Sequence, residues 1–514
     1  MSKRARTLLV SGIALLVLGA LLAVLLLLPD ATGGGTANST TSTTAQDTSV
    51  ILVNKDAKTT VSSAVITRSD ETFTLVADDK GNLSVKGFDG LPQVTELYDT
   101  VADALLGFGA YRKVSDSPKN PADFGFDNKE KPAMSVAIKY SDDTEFAFEI
   151  GDLSPAGEGY YFREVGKPTI YLVDTEFAET VTAKSTYYLS TSPLVPPTAN
   201  NDEDGVVVRD ALLYGSVRPQ PFEFQISTEI PDDDQNSQIL TGYFLTKPYY
   251  RNVRSGTDMI NASSYHSFVA DSVEKVRPTQ ADLNKAGITN PYSACTTHLT
   301  VKKVTTELNK DTGKETSSMS FYNTFKYTLK LGNEISAGVR YAVVYMDDEM
   351  VPLLYSVSVA SLPWAETQYD DMADELLFFT YIYQVDKMAF TVNNTKTKFH
   401  LTHHEDVEDN EAKLTVVANN TQYKTGAFRT LYTELMQITR AGSTDKKPTG
   451  TPVLRIDIDT NTSIAHTGWI EFYRYSAGKY TVLHDTGEMH LVDAKDVEDF
   501  LALYRRFLNG ENIG

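Results

Sequence analysis

His403, His404, Glu405 and Asp406 form the densest run of potential metal ligands in the sequence. Adjacent histidines point to opposite faces of a strand and lie about 100° apart on a helix, so they do not converge on one ion; HExxH would also need a histidine where Glu408 stands. The run reads as a solvated loop. Asn200 to Gly205 (NNDEDG) carries oxygens at alternate positions before a glycine, like half of a calcium loop, but Ala211 stands where the bidentate glutamate is required, which excludes an EF-hand. An acidic interdomain linker is the better reading, and Asp232, Asp233 and Asp234 after Pro231 read the same way. Gly107 and Gly109 follow a helical pattern instead of opening one, so they are expected to cap its end and not to bind a dinucleotide. Ser272 and Lys275 give a lone S-x-x-K without the companion motifs of penicillin-type enzymes, and are expected on a helix surface.

Tyr249, Tyr250, Arg251 and Arg254 make the one aromatic and basic patch of an acidic chain. Such a patch stacks a sugar or holds an anion, so these four residues are the candidate ligand site, set against simple packing at the end of a buried strand after Lys247 and Pro248. Cys295, the single cysteine, lies in an apolar-alternating run and reads as packing; alone it can form no intrachain disulfide. No catalytic residue, metal ligand or cofactor is assigned, and a non-enzyme is expected.

The elements that would position these residues follow from patterning. Of the 514 residues, 41% are hydrophobic, enough for two or three cores at the usual ~100–200 residues per domain. The formal charge of −21, from 68 acidic and 47 basic residues, opposes binding to nucleic acid. Leu8 to Leu28 is an uncharged apolar run, long enough to cross a bilayer core of roughly 30 Å, and Lys3, Arg4 and Arg6 precede it. Residues 1–30 are therefore expected to be a single-pass anchor in the cell membrane with a cytoplasmic N-terminus, in preference to a cleaved signal peptide. Gly12, Gly19 and Ala23 share one narrow helical face, where a partner helix could approach closely. Residues 31–49, rich in Gly, Ser and Thr, read as a flexible stalk.

Beyond the stalk, strand pairs alternate with single amphipathic helices. Val94, Leu97, Tyr98, Val101, Leu105 and Phe108 have helical spacing, as do Tyr265, Phe268, Val269, Val273 and Val276, and again Phe428, Leu431, Tyr432, Leu435 and Ile438. The stretches EFAFEIGDLSPAGEGYYF and KYTLKLGNEISAGVRYAV align without a gap, pairing Gly151 with Gly332, Asp152 with Asn333, and Gly157 with Gly338. Gly-Asp and Gly-Asn after an alternating strand, and the Ala156-Gly157 and Ala337-Gly338 that close each connection, are read as turn residues. The expected fold is α+β: an N-terminal transmembrane helix, a stalk, and three repeated units of antiparallel strands with one helix each, at 50–195, 206–385 and 386–514, the last divergent.

With this layout the chain resembles the bacterial family called domain of unknown function 4340. The residues that carry the likeness are Phe124-Gly125-Phe126-Asp127, Pro132, Ile150-Gly151-Asp152, Gly159-Tyr160-Tyr161 and Ile170 to Val173. In the second unit they are Tyr243 to Pro248, Ala286 to Pro291 and Leu331-Gly332-Asn333. The resemblance implies an extracytoplasmic accessory role beside ABC-type transporter subunits. The expected function is a membrane-anchored, non-enzymatic binding or scaffold protein whose partners are integral membrane transporter subunits. The alternatives are a cell-surface binder of wall polymer or glycan, and a hydrolase with a site assembled from distant residues.

Overall fold

A computed structural model describes residues 50–226, 242–249, 251–254, 256–308, 315–377, 380, 382–404, 413–460 and 468–513. The anchor, the stalk, Gly12, Gly19, Ala23, Asp232 to Asp234, Tyr250, Glu405 and Asp406 lie outside the described residues. Among the described residues no helix is long and apolar enough to cross a membrane.

The chain is mostly β, with antiparallel sheets of eight, ten and nine strands and a separate two-stranded pair. In the first sheet, Val61–Thr67, Thr72–Ala77 and Leu83–Val85 form a meander, and the chain then enters the helix Thr95–Leu106. Arg112–Ser115 follows as the far edge strand, and Met134–Tyr140, Glu145–Leu153, Tyr160–Glu164 and Ile170–Val173 fill the space between. Counting these eight strands along the chain, their order across the sheet is third, second, first, fifth, sixth, seventh, eighth, fourth. The eight main strands of the second sheet, from Gly205–Tyr214 to Leu353–Ser358, lie in that order, as do those of the third, from Val385–Val392 to Met489–Asp493.

Alternation explains the strands. Val136, Ile138 and Tyr140 are buried along Met134–Tyr140 with exposed residues between them, and Phe148 and Ile150 continue the layer on the partner strand. The helix Thr95–Leu106 buries Tyr98, Val101 and Leu105, and Thr425–Met436 buries Phe428, Leu431, Tyr432 and Leu435, as their spacing requires. The terminal helix Ala494–Leu508 buries Val497, Phe500, Leu501, Tyr504 and Phe507 on the third core; the sequence reading did not identify it.

The second helical set departs from its spacing. Only Ser263–His266 is helical, whereas Val273 and Val276 lie on the edge strand Ser272–Val276, paired with Leu353–Ser358, and Val269 is 55% exposed. The sequence SVEKV carries two β-branched valines, and pairing along an open sheet edge outweighs a helical period traced by five residues. Ser272 and Lys275 consequently sit on a strand and not on a helix surface. Gly107 ends the helix Thr95–Leu106 in an extended conformation, and Gly109 lies within the strand Gly107–Ala110, where a Cβ would crowd the Val50 carbonyl oxygen of the paired strand.

Candidate functional site

The repeated glycines are not turn residues at both ends. Gly151-Asp152 lies inside the strand Glu145–Leu153, where the register shifts between Ile150 and Leu153; Gly332-Asn333 lies inside Glu315–Ser336, where it shifts between Leu331 and Glu334. A loop backbone presses on each bulge: a Cβ on Gly151 would overlap the Phe124 carbonyl oxygen, and one on Gly332 would overlap that of Ala286. The Asn333 amide donates to that Ala286 carbonyl at 2.7 Å. The next residues of these loops, Gly125 and Gly287, both have positive φ, 84° and 76°, and rest on Asp152 and Asn333. The family-like residues thus seat a loop on a strand. Gly157 and Gly338, with φ of 71° and 74°, are turn residues as read.

Most of the chemistry-bearing residues are held in local contacts. Cys295 is fully buried, and desolvation pushes its thiol far up, out of nucleophilic range. His403 Nε2 meets the Val385 carbonyl at 2.9 Å and His404 Nε2 meets Thr415 Oγ1 at 3.1 Å, so the two rings go to different partners. In the acidic linker, Asp204 accepts from the Tyr322 hydroxyl at 2.7 Å. Ser272 Oγ bonds Ser356 Oγ at 2.7 Å, and Lys275 pairs with Asp282 at 2.6 Å.

The aromatic and basic patch leads to a buried cluster where the second sheet meets the third. Arg251, on the short edge strand Arg251–Asn252 of the second sheet, directs Nε to both carboxylate oxygens of Glu488, at 2.9 and 2.7 Å, with both side chains under 10% exposed. Its Nη1 donates to the Leu376 and Leu377 carbonyls at 2.8 and 3.2 Å. Its Nη2 lies 3.2 Å from His484 Nε2. Arg440 of the third sheet is 3.7 Å from Glu488 and pairs with Asp370. Tyr369 packs edge-on to Tyr249, and the Tyr249 hydroxyl reaches the Gly487 carbonyl at 3.5 Å. Arg254 stands at the rim, 3.3 Å from Glu375. Tyr249, Arg251 and Arg254 therefore bond to protein groups of the junction.

His484, Glu488 and His490 are three ligand-type side chains, all buried, with ligand atoms within 4.8 Å of one another. Two guanidiniums share their space. A dication about 5 Å from one guanidinium is opposed by roughly 7 kcal/mol at an effective dielectric of about 20, and Arg251 already holds both Glu488 oxygens. The same guanidiniums oppose a proton on either ring. Burial, then neighbouring positive charge, holds both histidines well below the usual imidazole range. Sequence reasoning missed them, although a signal exists: His484 continues the alternate positions of the buried Tyr480 and Val482, and His490 those of the buried Val492, so histidines stand where apolar residues are expected.

A second feature lies where the first sheet's unit meets the second. Leu91, Leu189 and Leu194 join the second core, and Arg277 donates to the Gly87 and Asp89 carbonyls at 2.7 and 2.9 Å. Beside this contact opens a cleft of about 680 Å³, lined by the helix Thr175–Val181, the 46%-exposed ring of Tyr187, and the edge residues Asp271 to Val273.

Fold and junctions together define an α+β protein of three large antiparallel sheets, the first joined to the second through a shared apolar core and the second to the third through a buried ion pair. Residues 92–204 match the family model described as Domain of unknown function (DUF4340), so this segment resembles that family. No curated protein and no solved structure matches the chain.

Proposed function

We propose that the protein is a non-enzymatic, membrane-anchored extracytoplasmic scaffold, built from three copies of one unit at 50–195, 206–385 and 386–514, that serves an ABC-type transport system. The observation that carries this reading is the single strand order shared by three sheets, with junctions that tie each sheet to the next. Repetition of a sheet joined in series suits a protein that presents surfaces to partners. Leu8 to Leu28 would hold it to the membrane, and the face of Gly12, Gly19 and Ala23 would admit a helix of a transporter subunit. The link to transport rests on the family resemblance alone.

The cleft beside Tyr187 favours a second reading, a cell-surface binder of wall glycan, because a half-exposed ring among hydroxyl and carboxylate groups suits a sugar face. Incubating the purified full chain in detergent with peptidoglycan, peptides and esters separates the readings. No turnover is expected. Hydrolysis of any of them would overturn the proposal, and retention of peptidoglycan without cleavage would favour the second reading.

A further inference from the structure

His484 and His490 lie side by side, with ring centroids 4.9 Å apart, in the junction between the second and third sheets. A guanidinium only donates, so His484 Nε2, 3.2 Å from Arg251 Nη2, is the unprotonated nitrogen of a neutral ring. Neither ring nitrogen of His490 has a hydrogen-bond partner among the described residues. The charges facing the pair are Arg251 from the second sheet's edge, Arg440 from the strand Arg440–Ser443, and Glu488 from the hairpin that carries both histidines. Asp370, about half exposed, answers Arg440 from the linking segment. The phenols of Tyr369 and Tyr249, both raised by burial, stay neutral. Two cations are thus balanced by one buried and one half-exposed carboxylate.

We propose that this two-histidine cluster is a pH-dependent latch: it holds the second and third sheets together near neutral pH and lets them part in mildly acidic surroundings. A proton on His484 removes the lone pair that accepts from Arg251 and sets a third cation beside two others. A proton on His490 creates a buried cation with no acceptor. The sheets stay connected through residues 374–377, where the Asp374 amide donates to the Asn252 carbonyl at 3.0 Å and the Arg440 amide to the Glu375 carbonyl at 2.8 Å, so release is a swing about this segment.

Geometry sets the direction. In the open state each histidine titrates near its ordinary value of about 6.5, while in the closed state both are held lower. Closure is therefore fully favoured above about pH 6.5 and weakens as pH falls below it, by up to about tenfold per histidine per pH unit until the closed-state values are reached.

The test is a pair of spin labels on the full chain in detergent, at Lys303→Cys in the second sheet's unit and Lys495→Cys in the third; Cys295 is buried and does not label. One narrow distance distribution is expected at pH 7.5, with a second, broader population growing below about pH 6.5 while far-UV circular dichroism stays constant. His484→Gln with His490→Phe keeps an acceptor for Arg251 and removes both protons, and should remain closed at pH 5. Glu488→Gln should populate the open distance already at pH 7.5. A wild-type distribution unchanged from pH 7.5 to 5, or a double variant that opens at the wild-type pH, would overturn the latch. Should the double variant not fold, the wild-type and Glu488→Gln distributions decide the matter.

Discussion

Gly332 and Gly338 sit six positions apart and answer to different physics. A Cβ at Gly332 would overlap the Ala286 carbonyl oxygen, a backbone atom whose own hydrogen bond to the Asn333 amide fixes it. At Gly338 nothing lies within 4 Å, and only the φ of 74° resists a side chain. Gly338→Ala should accordingly cost about 1 kcal/mol and Gly332→Ala several times that, read as the shift of the denaturant midpoint at constant slope. Equal shifts would mean that the loop yields. The sequence located both glycines and assigned both to turns, because the loop that presses on Gly332 comes from residues more than forty positions upstream and leaves no trace in local spacing. The buried histidines escaped for a related reason. His484 and His490 become neighbours only when their hairpin closes, and Arg251 reaches them from another sheet; by contrast the run His403-His404 was conspicuous in sequence and its rings diverge in the fold.

Strands were legible wherever burial alternates on one face, as at Val136, Ile138 and Tyr140, and helices wherever a full turn-by-turn stripe exists, as at Phe428, Leu431, Tyr432 and Leu435. The failure at Val273 and Val276 came from a period that two different elements happen to share: a short helix, then a connection, then an edge strand. The helix Ala494–Leu508 was overlooked although its stripe is complete, since a single helix per unit was expected. These assignments separate in mutational cost. Phe500→Ala empties a buried position between Phe390 and Tyr504 and should cost about 3–5 kcal/mol, whereas Val269→Ala, at a largely exposed position, should stay within about 0.5 kcal/mol. Thermal unfolding with matched denaturant curves checks both. A large loss at Val269 would return it to a buried helix face.

Three sheets in one strand order, with the first sharing a core with the second and the second ion-paired to the third, make a body whose conspicuous features lie between units. The acidic charge of −21 disfavours nucleic acid as a partner. The most direct measurement is affinity capture of the full chain from detergent-solubilised membranes of the native cell at neutral pH, followed by identification of what co-purifies. Integral membrane transporter subunits in stoichiometric yield are the predicted result; recovery of wall polymer with no transporter subunit would contradict the account.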